Sequence, residues 1–149
     1  MSDGRPRLIA IVGPTASGKS SLADEVALRL GTSVVSVDSM QVYRGMDIGT
    51  AKEPKESRRV PLLMVDVADV RSDYSAQVFQ REARACVDGL LQTGRVPVLC
   101  GGTGLYLDAV IDEMDFPRGT KGGDSRRKYE ELARRQGAAA LWEMLRSRD

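Results

Sequence analysis

The chain has 149 residues and a mass of 16.2 kDa, with 42% hydrophobic and 29% charged residues, enough apolar surface for a packed core and too balanced for a disordered segment. Its charges nearly cancel at +1, so no global field marks it for nucleic acid, and the absence of histidine removes His triads, His bases and His metal ligands from consideration. Two cysteines, Cys86 and Cys100, make no disulfide framework, and no apolar run approaches the roughly 20 residues that a membrane-spanning helix needs.

The N-terminal MSDGRPR has no apolar stretch of a secretory signal, which makes the cytoplasm the expected address. Residues 7–12 are short, apolar and branched, and read as a buried parallel strand. A glycine-bearing turn over residues 13–18 leads into a helix of about three turns. Its predicted buried face is Leu22, Val26 and Leu30, spaced i, i+4, i+8, with Gly31 as the stop. Residues 33–38 form a second buried strand that ends in Asp38. Residues 39–60 show no period and contain Gly45, Gly49 and Pro54, so they read as a long active-site loop with a short helix at most.

Residues 61–66 are a third strand candidate. Ser75 is the predicted N-cap of a helix whose apolar stripe is Phe79, Ala83, Cys86, Val87, Leu90 and Leu91, ended by Gly94. Residues 96–100 are the fourth strand, where Pro97 argues against a central place unless it lies near the strand start. Gly101-Gly102-Thr103-Gly104 then turns into a helix carrying Leu107, Val110 and Ile111. The composition changes after this point. Residues 1–117 carry a net charge of −3 and residues 118–149 a net of +4. Residues 119–123 read as a hinge before two helical patterns, one around Tyr129, Leu132 and Ala133, the other around Leu141, Trp142 and Leu145. The order of elements implies an α/β fold, an open parallel sheet with flanking helices.

The strongest chemical signal is Gly13, Pro14, Thr15, Ala16, Ser17, Gly18, Lys19 and Ser20, which match G-x-x-x-x-G-K-[ST] between a strand and a helix. Loop N–H groups and the helix N-terminus converge there on an anion, Lys19 adds a point charge, and the Ser20 hydroxyl can ligate Mg²⁺. Asp38 ends the second strand at the same sheet edge. On position it is a general base, a water-mediated metal ligand, a helix cap or a loop salt bridge. Asp66 is either a metal-holding carboxylate or a turn residue. Gly101 and Gly102 let backbone approach a ligand, and Thr103 is either a ligand contact or an N-cap. Arg126, Arg127, Lys128, Arg134 and Arg135 can contact phosphates or can form a solvated helix face. Cys86 and Cys100 read as packing.

Three segments together resemble the tRNA dimethylallyltransferase (tRNA isopentenyltransferase) family: residues 13–20 (GPTASGKS), residues 36–52 (SVDSMQVYRGMDIGTAK) and residues 97–107 (PVLCGGTGLYL). The first is shared by many nucleotide-binding enzymes, whereas the second is specific. The resemblance implies a P-loop NTPase-like core over residues 1–117 and the start of a helical tRNA-binding insertion over 118–149. The phosphate loop would hold the pyrophosphate of dimethylallyl diphosphate, with Mg²⁺ at Ser20. The prenyl group would pass to the exocyclic N6 amine of the adenosine beside the anticodon. Asp38 matches the family's general base, and Thr103 the threonine near the reacting part of the tRNA. Asp38, Ser39, Met40 and Gln41 match its tRNA-contacting stretch, and Arg126 and Arg127 become contacts for the anticodon stem-loop. Family members run on well past residue 149, so the resemblance also implies a sheet without its last strand and an open edge at which this chain can self-associate, although the full-length family is expected to be monomeric. Two other readings stay in view: a small P-loop metabolite kinase, and a non-catalytic module that binds diphosphate or RNA.

Overall fold

Four short strands form one sheet: β1 (Ile9–Val12), β2 (Val34–Val37), β3 (Leu62–Leu63) and β4 (Val98–Gly101). All neighbours are parallel, in the order β1-β4-β2-β3. The computed structural model describes residues 7–112, 114–116 and 123–148. The chain divides into two compact units, Met1–Met114 and Asp115–Asp149.

The sheet belongs to the first unit. Its centre is β2 and β4, buried on both faces, as the continuous apolar runs of parallel strands require. Pro97 does not exclude β4 from this central place, because it lies just outside the strand. There it has no ladder N–H to lose, and its carbonyl accepts from Ile9 N at 2.9 Å. The third strand is shorter than residues 61–66 suggest. Met64 and Asp66 take left-handed backbone (φ 62° and 60°), which turns the chain out of the extended conformation after two residues.

Helices cover both faces. Helix α1 (Lys19–Leu30) packs on the side of Val34, Val98 and Cys100. Its fully buried residues are Ala23 and Ala27; of the expected stripe, Val26 packs partly buried against the same core, whereas Leu22 and Leu30 are 55% and 45% exposed. Consecutive residues are about 100° apart around a helix, so the seam lies one position round from the leucines. The small alanine side chains allow the axis close to the sheet, and Leu22 and Leu30 flank the contact. On the other face, α2 (Ala76–Gln92) buries Phe79, Ala83, Val87 and Leu90 against Val35, Val37 and Leu99, along the stripe read from sequence. Ser75 caps it, its hydroxyl accepting from Val78 N at 3.3 Å, and Gly94 (φ 73°) follows its end. Helix α3 (Gly104–Ile111) turns Tyr106, Ala109 and Val110 inward, whereas Leu107 is partly buried and Ile111 exposed. Tyr106 stacks on Phe79 with ring centroids 4.0 Å apart. Full burial of Phe79 alone contributes about 2 kcal/mol.

Residues 39–60 are irregular except for one short 3-10 turn, Lys55–Ser57. The second unit holds α4 (Asp124–Gln136) and α5 (Ala138–Arg146), joined at Gly137 (φ 81°). Leu132, Ala133, Leu141 and Met144 are half-buried, and Trp142 and Leu145 are exposed. The hinge expected over residues 119–123 lies, except for Gly123, outside the described residues. Among the described residues, no helix is long and apolar enough to cross a membrane.

Candidate functional site

The register of the sheet assembles the site. Val12 of β1 and Val37 of β2 both pair with Gly101 of β4, so three strands end in one row. The next residues, Gly13, Asp38 and Gly102-Thr103, therefore emerge together at the carboxyl edge, where ligands bind in open α/β sheets. Gly101 is required for that convergence. A Cβ there would sit 2.0 Å from the Val37 carbonyl oxygen, so the close approach of the two strands requires glycine at a position that also lines the cavity described next. Gly102 has room to spare, its nearest neighbour being the Gly13 carbonyl at 3.5 Å.

A cavity of about 490 Å³ opens at this edge. Thr15, Ala16, Gly18, Lys19 and Ser20 line it, together with Asp38, Met40 and Gln41. Of the predicted phosphate loop, Gly13, Pro14 and Ser17 stand outside the lining and shape the turn. Ala16 (φ 63°) and Gly18 (φ 82°) are left-handed on either side of Ser17, the alternation that turns successive backbone N–H groups to one side as an anion nest. Gly18 is the N-cap of α1 and has no side chain to occupy the first-turn amides. The Lys19 ammonium donates to the Pro14 carbonyl at 3.0 Å, folded back over the loop it would serve.

Asp38 lines the same cavity. One carboxylate oxygen, Oδ1, accepts from Met40 N at 2.8 Å and from Gln41 N at 3.2 Å. This local turn fixes the side chain and commits one of its two oxygens. Thr103 does not line the cavity. It stands at the N-cap position of α3 but makes no side-chain cap bond. Its Oγ1 instead accepts from Ser39 N at 3.1 Å and lies 3.4 Å from the Ser39 hydroxyl, bracing the residue after Asp38. Ser39 is likewise absent from the lining. Gln41 reaches the cavity with its side chain already engaged. Its Oε1 accepts from the Ser36 hydroxyl at 3.1 Å, and its Nε2 donates to the Thr50 and Ala51 carbonyls at 3.1 and 3.4 Å.

Asp66, which position alone left between two roles, is a loop anchor. Its carboxylate receives the Lys52 ammonium at 2.8 Å, and it does not line the cavity. Cys100 is buried and contributes to the cavity wall, and burial pushes its thiol above the ordinary value. Sequence reading missed Asp24, Ser36 and Glu53, which also line the cavity. Asp24 was accessible to reasoning, being four residues after Ser20 on one helix face. Ser36 had a weaker signal, a lone hydroxyl in an apolar strand. Glu53 had none.

Arg126 and Arg127 lie on α4 in the second unit. Arg126 Nε meets Glu130 at 2.8 Å, and Arg127 pairs with Asp124. Both pairs are exposed, and such pairs contribute about 0–1 kcal/mol, so either guanidinium can exchange its partner for another anion at little cost.

The donor set fits a hard cation with few protein ligands. Ser20 offers a hydroxyl oxygen on the cavity beside the nest. Among the described residues, no group of three or more His, Cys, Asp or Glu is placed to hold a metal ion.

Comparison with known proteins points to one family. A family model described as IPP transferase matches residues 41–149, and one described as isopentenyl transferase matches residues 6–63. A tRNA dimethylallyltransferase of Frankia casuarinae is 55% identical over 141 residues, which is 94% of this chain and 48% of the relative. One of Streptomyces coelicolor is 52% identical over 137 residues, 91% of this chain and 43% of the relative. Among solved structures, the full-length tRNA isopentenylpyrophosphate transferase of Bacillus halodurans superposes with a TM-score of 0.73 at 41% identity, over 97% of this chain and 48% of that one. A eukaryotic dimethylallyltransferase captured acting on tRNA gives a TM-score of 0.70 at 27% identity, over 79% and 31%. This chain thus spans about half the length of the relatives it matches. The fold they share with it is P-loop NTPase-like.

Proposed function

Because the chain belongs to the IPP transferase family, we propose that this protein transfers a dimethylallyl group from dimethylallyl diphosphate to the exocyclic N6 amine of the adenosine beside the anticodon of tRNA, releasing diphosphate. The observation that carries this reading is the shared cavity: the phosphate loop and the Asp38 carboxylate line one space. In the transfer, the C1–O bond of the donor breaks and a C1–N6 bond forms. Negative charge builds on the departing diphosphate, where the loop amides and Lys19 neutralise it. The attacking amine is a weak nucleophile and must shed a proton, which Asp38 accepts on the oxygen left free by its local turn. Thr103 acts through Ser39 as a positioning residue, keeping that carboxylate over the sheet edge. The adenine must leave its stack to reach the cavity. Mg²⁺ held by Ser20 and the diphosphate oxygens would add further charge neutralisation at the leaving group.

On this reading Met40 and Gln41, beside Asp38 on the cavity, meet the acceptor nucleotide. Arg126 and Arg127 meet phosphates of the anticodon stem-loop. The protein works in the cytoplasm, where its tRNA substrate is found. On the same reading the full-length protein is a monomer, and β1, which stands at the edge of the sheet, is where this chain self-associates.

The test is incubation of the chain with labelled dimethylallyl diphosphate and unmodified tRNA, and separately with labelled ATP. Prenyl label in tRNA that disappears with Asp38→Ala supports the proposal. Label moved from ATP to a small molecule would mark a kinase. Diphosphate binding with no transfer in either arm would mark a binding module.

A further inference from the structure

Lys52 sits in an irregular segment, yet its side chain is only 4% exposed. An ammonium has three protons to donate, and all three are used here. They go to the Tyr43 carbonyl at 2.8 Å, Asp47 Oδ1 at 2.9 Å and Asp66 Oδ1 at 2.8 Å. The lock therefore closes the 39–60 segment on itself and ties it to Asp66. The anchor is itself held, because Asp66 N donates to the Gln41 carbonyl at 3.1 Å and Arg44 Nη1 donates to the Asp66 carbonyl at 3.0 Å.

What the lock holds is part of the cavity. Gly49, Thr50, Ala51 and Glu53, the residues on either side of Lys52, all line it. Gln41 grips the Thr50 and Ala51 carbonyls, and Arg58 donates through Nε and Nη2 to the Glu53 carbonyl at 3.1 and 2.9 Å. Ala51 keeps a left-handed backbone (φ 51°), which its surroundings must enforce in a residue with a Cβ. The charged end of a bound diphosphate is met by the loop before α1. The organic end of such a ligand lies in the rest of the cavity, where Leu62 and Ala51 offer apolar surface.

We propose that Lys52 is a positioning residue for the organic end of the bound diphosphate, because its ammonium fixes residues 49–53 as the part of the cavity wall that this end packs against. The proposal rests on the diphosphate reading of the site and adds a wall and a residue that set specificity. A lysine that served only the fold would affect all ligands alike. A positioning lysine changes the ratio of affinities for a ligand with an organic end and one without.

The experiment is calorimetric titration of the unaltered chain and its variants with inorganic pyrophosphate and with dimethylallyl diphosphate, alongside thermal melts. Lys52→Met should leave the pyrophosphate Kd within about twofold and raise the dimethylallyl diphosphate Kd about tenfold. Lys52→Met with Asp66→Asn, which leaves no unpaired carboxylate at the anchor, should show the same change of ratio. Asp47→Asn loosens the lock from its exposed side, where the fold is not at risk, and should shift the ratio the same way by a smaller factor. Parallel weakening of both ligands, or an unchanged ratio in all three variants, overturns the proposal. Failure of the unaltered chain to bind pyrophosphate at all overturns instead the diphosphate reading on which it stands.

Discussion

The backbone N–H of Ser39 donates to Thr103 Oγ1 at 3.1 Å, joining residues 64 positions apart in sequence. This bond couples the turn that orients Asp38 to the start of α3. Thr103→Val keeps the shape and removes the acceptor. The expected result is a loss of about 1 kcal/mol in stability and faster amide hydrogen exchange at Ser39. Thr103→Ser should restore both. Exchange rates followed by NMR on the folded chain check this, and a Ser39 amide that stays equally protected in the valine variant would contradict it.

Lys19→Ala should weaken pyrophosphate binding by roughly ten- to a hundredfold, the worth of a charge-assisted hydrogen bond to an anion. Its ammonium now rests on the Pro14 carbonyl and can turn to a ligand without unmaking any ion pair among the described residues. Titration calorimetry at fixed ionic strength gives the number.

Two adjacent glycines should answer differently to the same change. Gly101→Ala drives a methyl group into the Val37 carbonyl and should cost at least about 3 kcal/mol, because backbone rather than a side-chain tip must yield. Gly102→Ala meets only ordinary van der Waals neighbours and should melt within a few degrees of the parent. Urea denaturation of both variants tests the contrast.

Lys52 also sets a pH dependence. Burial acts to lower its pKa, but the hydrogen bonds to Asp66 and Asp47 outweigh burial and hold it above the usual lysine value. A proton bound more tightly in the folded than in the unfolded chain stabilises the fold fully below the unfolded pKa. That contribution drains away as pH climbs through the folded one. The stability gap between the parent and Lys52→Met should therefore be constant around neutrality and narrow at strongly alkaline pH. Urea midpoints measured across that range should show it, and a gap that widens with pH would refute the assignment.

If α4 meets RNA phosphates, Arg126→Ala with Arg127→Ala should leave the melting curve almost unmoved, since both ion pairs are exposed. Binding of an anticodon stem-loop should weaken, and the slope of log K against log salt should become shallower by about 0.7–0.9 for each phosphate that the protein no longer neutralises. An unchanged slope would remove these arginines from the interface.

Much of the core could be read from the residues because local pattern and tertiary packing agree there. The stripe of α2 is one case, since a single face buries Phe79, Ala83, Val87 and Leu90 with no competing apolar face. On α1 they disagree. Leucines carry more apolar area than alanines, so periodicity favours Leu22 and Leu30, yet the sheet accepts the narrow Ala23–Ala27 seam. Strand β3 was overestimated because nothing in a methionine announces the left-handed backbone at Met64, whereas Asp66 was already open to a turn reading. At the site, the placement of the 13–20 loop and of Asp38 at one sheet edge was legible because motif and strand end are local features. The contacts of Thr103, Gln41 and Lys52 were not, because each depends on a partner brought close by the fold rather than by neighbouring sequence.

Among the described residues, the non-glycine positions with left-handed backbone are Ala16, Ala51, Met64 and Asp66. Two of them line the cavity, and a third anchors the lysine that holds its wall. Each such residue costs about 1–2 kcal/mol that its neighbours must offset. Heat should therefore act unevenly on this molecule: the rim of the cavity goes slack first, while the strands beneath it are still intact, so binding is lost at a temperature where circular dichroism still reports a folded protein.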